Sequence, residues 1–186
     1  MTLIGTNADF SQNDPRWSGQ LLGFSTWEKM GPFGCLVDAF ANVAQAQGSD
    51  FDPSTMNNAL KAHGLFVRDR YGQIADVAGY SALSAVAPHS HFVEQKNWPG
   101  TEVAPAAYFD VRASTDIELI IWLPYPPEKS NSPDHFCRVI GLNSAHTDVE
   151  IVDSFTGKRI WLSSIAAPLG KNPFQIIWSA GKYQKV

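Results

Sequence analysis

Cys35 stands where a loop gives way to a helix, in Met30-Gly31-Pro32-Phe33-Gly34-Cys35-Leu36-Val37-Asp38. Gly31, Pro32 and Gly34 oppose helix formation up to that point. An apolar run begins directly afterwards. A thiol at a helix N-terminus feels the positive end of the macrodipole and the N–H groups without intrahelical partners, which favours a nucleophilic thiolate. Free cysteines are also among the most buried residues, so this thiol needs partners before it signifies chemistry.

His135 opens the run His135-Phe136-Cys137-Arg138-Val139-Ile140-Gly141. Read as a strand, it places His135, Cys137 and Val139 on one face, expected to pack on the helix that starts at Cys35 and to carry the imidazole to the thiol. The following strand ends at Asp153, on the face of Val149 and Ile151. A carboxylate closing an apolar row needs a hydrogen-bonding partner, and a neighbouring imidazolium supplies one while fixing the ring. Thiol, base and orienting acid make an activated nucleophile. Taken singly, each residue has an ordinary reading: a partly exposed strand-opening His, and an Asp that makes a turn.

The elements that must position these groups follow from pattern. Residues 35–47 read as a helix that is apolar nearly all round, hence buried on several sides, ending at Gly48. Asp52-Pro53 supplies a cap and a first-turn proline for a second helix reaching about His63. Residues 73–86 read as a third helix weakened by Gly79. Strand-like runs then occupy 91–96, 117–124, 135–142, 148–153, 158–163 and 174–183. Helices first and strands afterwards give an α+β fold, with an antiparallel sheet packed on the N-terminal helices, in one domain over 1–186.

Composition bounds the function. The 186 residues carry a net charge of −4 without a basic cluster, which argues against a nucleic-acid partner. The longest apolar run, around Ile117 to Leu123, is interrupted by Glu118, so no membrane span is expected. Met1 to Asn7 lacks the regions of a secretory signal, which points to cytoplasmic synthesis. Two cysteines are too few for a disulfide scaffold or a metal site of their own, and no cofactor is expected. His89 and His91 share strand spacing but lack further ligands and read as a surface turn.

The order of these pieces resembles the papain-like cysteine peptidases of the bacteriocin-leader-processing type, in particular stand-alone domains of that group. The matching pieces are Phe10-Ser11-Gln12-Asn13-Asp14-Pro15-Arg16-Trp17, Gly34-Cys35, Asp134-His135-Phe136 with Gly141, and Val152-Asp153. The resemblance implies a papain-like fold with Cys35 as nucleophile, His135 as base and then acid, and Asp153 as orienter. Gln12 would join the backbone N–H of Cys35 in an oxyanion hole, a role given by the resemblance alone. It also implies a thiol hydrolase acting on a peptide or cell-wall peptide amide, in a bacterial or phage setting that includes lytic enzymes released at lysis or carried in a virion. The alternative is a catalytically silent protein of the same fold within a phage particle or toxin complex. A transglutaminase-like acyl transferase shares the triad.

Two residues depart from the family pattern. Asp38 lies one turn beyond Cys35, where a charged carboxylate opposes thiolate formation unless it is turned away or paired. Its ordinary reading is an acid favoured near a helix N-terminus. Cys137 reads as a packed core thiol, with oxidation onto Cys35 as the alternative. The proline-rich 124–133 segment, with Tyr125, reads as a lip of the cleft or a plain solvent loop. Trp17, Trp27 and Trp98 read as either its other side or core.

Overall fold

The computed structural model of the chain describes residues 9–99, 101–111, 114, 116–124 and 135–186. A single turn, α1 (Met30–Phe33), is separated from α2 (Cys35–Ala46) by Gly34. Gly34 is required by close approach: a Cβ there would sit 2.6 Å from the Met30 carbonyl oxygen, the atom that accepts the Gly34 N–H. The eight residues Val37 to Ala44 of α2 are all buried, as the apolar run demands. Helix α3 (Pro53–Ala62) starts in a capping box. Asp52 accepts from the Thr55 N–H at 2.7 Å, and the Thr55 hydroxyl accepts from the Asp52 N–H at 2.9 Å.

The expected third helix over 73–86 is replaced by a hairpin, β1 (Phe66–Arg68) and β2 (Ile74–Val77), followed by a short α4 (Ala82–Val86). Two local features explain the difference. Asp69 Oδ1 accepts the N–H groups of Tyr71 and Gln73, both at 2.8 Å, which sets the hairpin turn. Gly79 has φ 101°, a left-handed geometry that no continuous helix contains.

The main sheet comprises β3 (Ser90–Asn97), β4 (Ile117–Leu123), β5 (His135–Leu142), β6 (Val149–Asp153), β7 (Lys158–Trp161) and β8 (Ser179–Lys185). Its spatial order is β3-β8-β4-β5-β6-β7, antiparallel throughout. The last strand starts later than the expected 174 because Pro173–Gln175 form a 3-10 turn capped by the Asn172 side chain. The fold is thus mixed α+β. Among the described residues no helix is long and apolar enough to cross a membrane.

One expectation about the sheet is corrected. The face of Cys137 and Val139 does not pack on α2. Those side chains belong to a second core with Leu119, Ile121, Ile151, Phe109 and Leu162. The α2 residues form the first core with Ile120, Tyr183 and the flank of Phe136. The sheet is covered on both faces, so both rows of β4 and β5 supply core residues. A short α5 (Ser163–Ala166) helps close the second core through Ile165 and Ala166.

Candidate active site

His135 is the first residue of β5 and Asp153 the last of β6. Asp153 pairs in register with Cys137, which sets His135 two residues away on the same face. The ring Nε2 and Asp153 Oδ1 are 2.8 Å apart, and the residues are 3% and 2% exposed. Asp153 also accepts the Phe155 N–H at 3.1 Å and the Thr156 hydroxyl at 2.7 Å. Burial alone would raise its pKa. The hydrogen bonds from His135, Thr156 and Phe155 and the charge on His135 outweigh burial, so the carboxyl ionises more readily than usual.

With Nε2 committed to Asp153, Nδ1 is the ring nitrogen left for a thiol. The Cys35 side chain is a hydrogen-bonding partner of this ring. Burial works against a charge on His135, but Cys137, Asp153 and Cys35 together push its pKa well above the ordinary value. Burial also raises the pKa of the Cys137 thiol, against the pull of His135. Asp153, whose own pKa is lowered, is the carboxylate paired with the ring. Three residues distant in sequence are thereby brought to one place: a half-exposed thiol, an imidazole and a carboxylate.

Cys137 lies beneath this pair. Its sulfur, a His135 nitrogen and an Asp153 oxygen fall within 4.8 Å of one another. A metal ion held by all three would have to break the His135–Asp153 hydrogen bond, and the three residues are buried. Both cysteines are free thiols, and Cys137 is packed into the second core. That placement favours an apolar filler.

Asp38 is neither turned outward nor a charged first-turn acid. It is fully buried, with Oδ2 accepting from Asn42 Nδ2 at 3.1 Å, while Asn42 Oδ1 accepts the Phe10 N–H at 2.9 Å. The buried Ser154 hydroxyl lies near the carboxyl without closing a hydrogen bond of normal length. Burial drives the Asp38 pKa well upward, more strongly than Ser154 and His135 lower it. Burial thus favours the neutral acid, which lessens its opposition to a thiolate.

A raised acid pKa means that the folded chain holds the proton more tightly than the unfolded one. The stabilisation is complete below the unfolded value near 3.8 and is lost as pH rises through the folded value. A carboxamide in place of this carboxyl would take no proton yet would offer both a donor and an acceptor. Asp38→Asn should therefore match the parent near pH ~4 and exceed its stability by ~1–3 kcal/mol around pH ~8. Denaturant melts across that range check this. A variant less stable than the parent at the alkaline end rules out a neutral Asp38.

Gln12 is 2% exposed, with its Nε2 donating to the Gly31 carbonyl and its backbone N–H to the Ser154 carbonyl at 2.7 Å. It therefore spans from the loop before Cys35 to the turn after Asp153. It is not among the residues lining the cleft.

That cleft, about 570 Å³, opens beside Cys35 between Phe33, Tyr80, Trp122 and Phe136. Trp122 and Phe136 are cross-strand partners, stacked at 5.7 Å with planes 5° apart. These wall residues were missed from sequence, although Phe136 adjoins His135 on the opposite strand face. Of the three tryptophans considered, Trp17 is core, and Trp98 packs on the second core. Trp27 is exposed against Phe33 and Tyr71 at the rim. His91 lies on β3 with its neighbour His89 just before it, both exposed. Tyr125 and residues 126–133 of the proposed lip lie outside the described residues, as does Asp134.

No protein-family model, no curated protein and no solved structure matches this chain. The chemistry of the site has to be derived from its own geometry.

Proposed function

We propose that the chain is a thiol hydrolase that cleaves an amide bond through an acyl-enzyme on Cys35, with a papain-like arrangement of Cys35, His135 and Asp153. The observation that carries this reading is the enclosed 2.8 Å His135–Asp153 pair whose ring is also hydrogen-bonded to Cys35. A thiolate on Cys35 attacks the carbonyl carbon, and the negative charge moves to the carbonyl oxygen. The backbone N–H at the start of α2 faces that charge, aided by the helix dipole. Gln12, whose Nε2 is given to the Gly31 carbonyl and which does not line the cleft, braces the loop before Cys35 in this proposal and is not the second donor. His135 then protonates the leaving amine and next takes a proton from the water that releases the acyl group. Asp153 keeps the ring oriented throughout.

The substrate class in this reading is a peptide or the peptide portion of a cell wall, consistent with an aromatic-walled cleft. Phage-encoded or virion-associated lysis is one setting, and assembly into a larger particle belongs to it. The enclosure of His135, which does not line the cleft, favours the second reading of a catalytically silent binding or structural subunit.

Thiol labelling separates the two. Cys35 should react with iodoacetamide between pH ~5 and ~8 faster than a model thiol, with the site identified by peptide mapping. Peptide or cell-wall hydrolysis should disappear in Cys35→Ala. Labelling no faster than a model thiol, with hydrolysis unchanged in Cys35→Ala, sinks the enzyme reading. Product analysis with added amines distinguishes hydrolysis from acyl transfer.

A further inference from the structure

The cleft beside Cys35 has an acidic end. Glu28, Asp69 and Asp76 line it, against a single lining cation among the described residues, Arg70. Asp69 is explained by its turn, since it accepts two backbone N–H groups. Asp76 lies on β2, largely exposed. Glu28 is only partly answered, by Asp69 and Ser25.

The Glu28 backbone is fixed: its N–H donates to Ser25 Oγ at 2.8 Å, and its carbonyl accepts the Leu22 N–H at 2.9 Å. The residue is only 2% exposed, yet Oε2 has no hydrogen-bond partner. Two other enclosed carboxylates are answered by the protein. Glu118 has the Arg138 guanidinium, and Asp153 has His135, Thr156 and Phe155. A buried carboxyl with an unpartnered oxygen at the wall of a cleft is costly unless something else completes it. Burial, the Asp69 hydrogen bond and the charges of Asp69 and Asp76 push the Glu28 pKa up to about 7, so it ionises readily once a cation arrives.

The surroundings select among cations. Two of the acceptor interactions of Asp69 are already taken by backbone, and aromatic rings flank the site: Phe33 and Tyr71, with Trp27 against both at 5.4 and 5.8 Å. A calcium ion needs six to eight oxygens and gains nothing from such rings. An alkylammonium offers three donors on an apolar stem that packs on aromatic faces.

We infer that Glu28, with Asp69 and Asp76, forms a subsite of the Cys35 cleft that binds a primary ammonium group of the substrate. The ammonium is either a free peptide N-terminus or a lysine-like side chain. This deepens the hydrolase reading and rests on Cys35 as the attacking thiol.

Alkylation of Cys35 by charged and neutral bromoacetyl amides tests it. Nα-bromoacetyl-lysinamide carries a side-chain ammonium, and Nε-bromoacetyl-lysinamide a free α-ammonium. Each is compared with its N-acetylated, uncharged counterpart by intact mass. At least one cationic isomer should label Cys35 about tenfold faster than its neutral counterpart, and that isomer identifies the source of the ammonium. For the side-chain ammonium the ratio should grow from pH 6 to pH 8 as Glu28 ionises among Asp69, Asp76 and Arg70, whereas the α-ammonium, which loses its own proton near pH ~8, should show no such rise. It should fall close to one in Glu28→Gln. Asp50→Asn, an exposed acid away from the cleft, should keep it, which excludes a general effect of net charge. Should Glu28→Gln fail to fold, Asp76→Asn reads the same ratio, reduced to a smaller extent. Ratios near one for both isomers, or a ratio equally lost in Asp50→Asn, overturn the subsite. Iodoacetamide run alongside keeps the two claims apart. A fast Cys35 with a ratio of one retains the hydrolase and removes the subsite. A Cys35 no faster than a model thiol that still shows the ratio does the reverse.

Discussion

His135→Ala should lower turnover by about three orders of magnitude and slow alkylation of Cys35 at pH 6. The imidazole is hydrogen-bonded to both Cys35 and Asp153, so on the proposed mechanism its loss removes the proton acceptor and the positive charge that holds a thiolate. Because the His135 pKa is raised, its support of the thiolate extends to higher pH than an ordinary imidazole's would. At strongly alkaline pH any exposed thiol ionises unaided, and variant and parent should converge there. The pH profile is therefore the diagnostic, since a folding defect would depress it everywhere. Alkylation of the variant within threefold of the parent at pH 6 would falsify the assignment of His135. Asp153 should keep its Thr156 and Phe155 hydrogen bonds in the variant, so the turn at 153–157 should survive.

Glu118→Ala carries the largest expected stability loss, ~3–5 kcal/mol. Glu118 on β4 takes two hydrogen bonds from the Arg138 guanidinium on β5, at 2.7 and 3.0 Å. The two side chains are 12% and 8% exposed. Removing the carboxylate leaves the guanidinium enclosed beside the first core with no countercharge. A midpoint drop on the order of 6–20 °C follows for a chain of this size. Replacing both partners with apolar residues, as in Glu118→Leu with Arg138→Met, should recover most of the loss, since the pair offsets its own desolvation more than it adds stability. Calorimetry or denaturant melts of the three variants decide it. A loss below ~1 kcal/mol in Glu118→Ala would place the pair in the class of solvated surface bridges.

Much of the framework was legible in the sequence because its signals are local. Helix α2 follows from an apolar run behind Gly34, and α3 from Asp52-Pro53. Strands β4, β5 and β6 follow from their β-rich composition and bounding turns. The candidate residues Cys35, His135 and Asp153 were visible as termini of those elements. What was missed depends on long-range packing. Residues 73–86 carry enough helix formers to suggest a helix, and only the pairing of Phe66 with Val77 and the geometry of Gly79 override that preference. The face of Cys137 could not be assigned to α2 or to the second core by alternation, because both faces of β5 are covered. Asp38 read as a favourable acid because its position in the helix is local, whereas its enclosure beside Ser154 is not. Glu28 gave no signal at all. Its neighbours across the cleft, Asp69 and Asp76, are remote in sequence.

The two hydrogen bonds of Gln12, to Gly31 and to Ser154, have a consequence in time. Residue 12 closes a contact with residue 154, so the site spans nearly the whole order of synthesis. Contacts of such high sequence separation form late, after the loop-closure entropy has been met by other packing. Cys35 leaves the ribosome long before His135 and Asp153 do, and until then it has neither base nor orienting acid. No truncated product ending before residue 153 contains the triad. On the proposed reading, a nascent chain is dormant while it is being made, and reactivity arrives with the last third of the polypeptide.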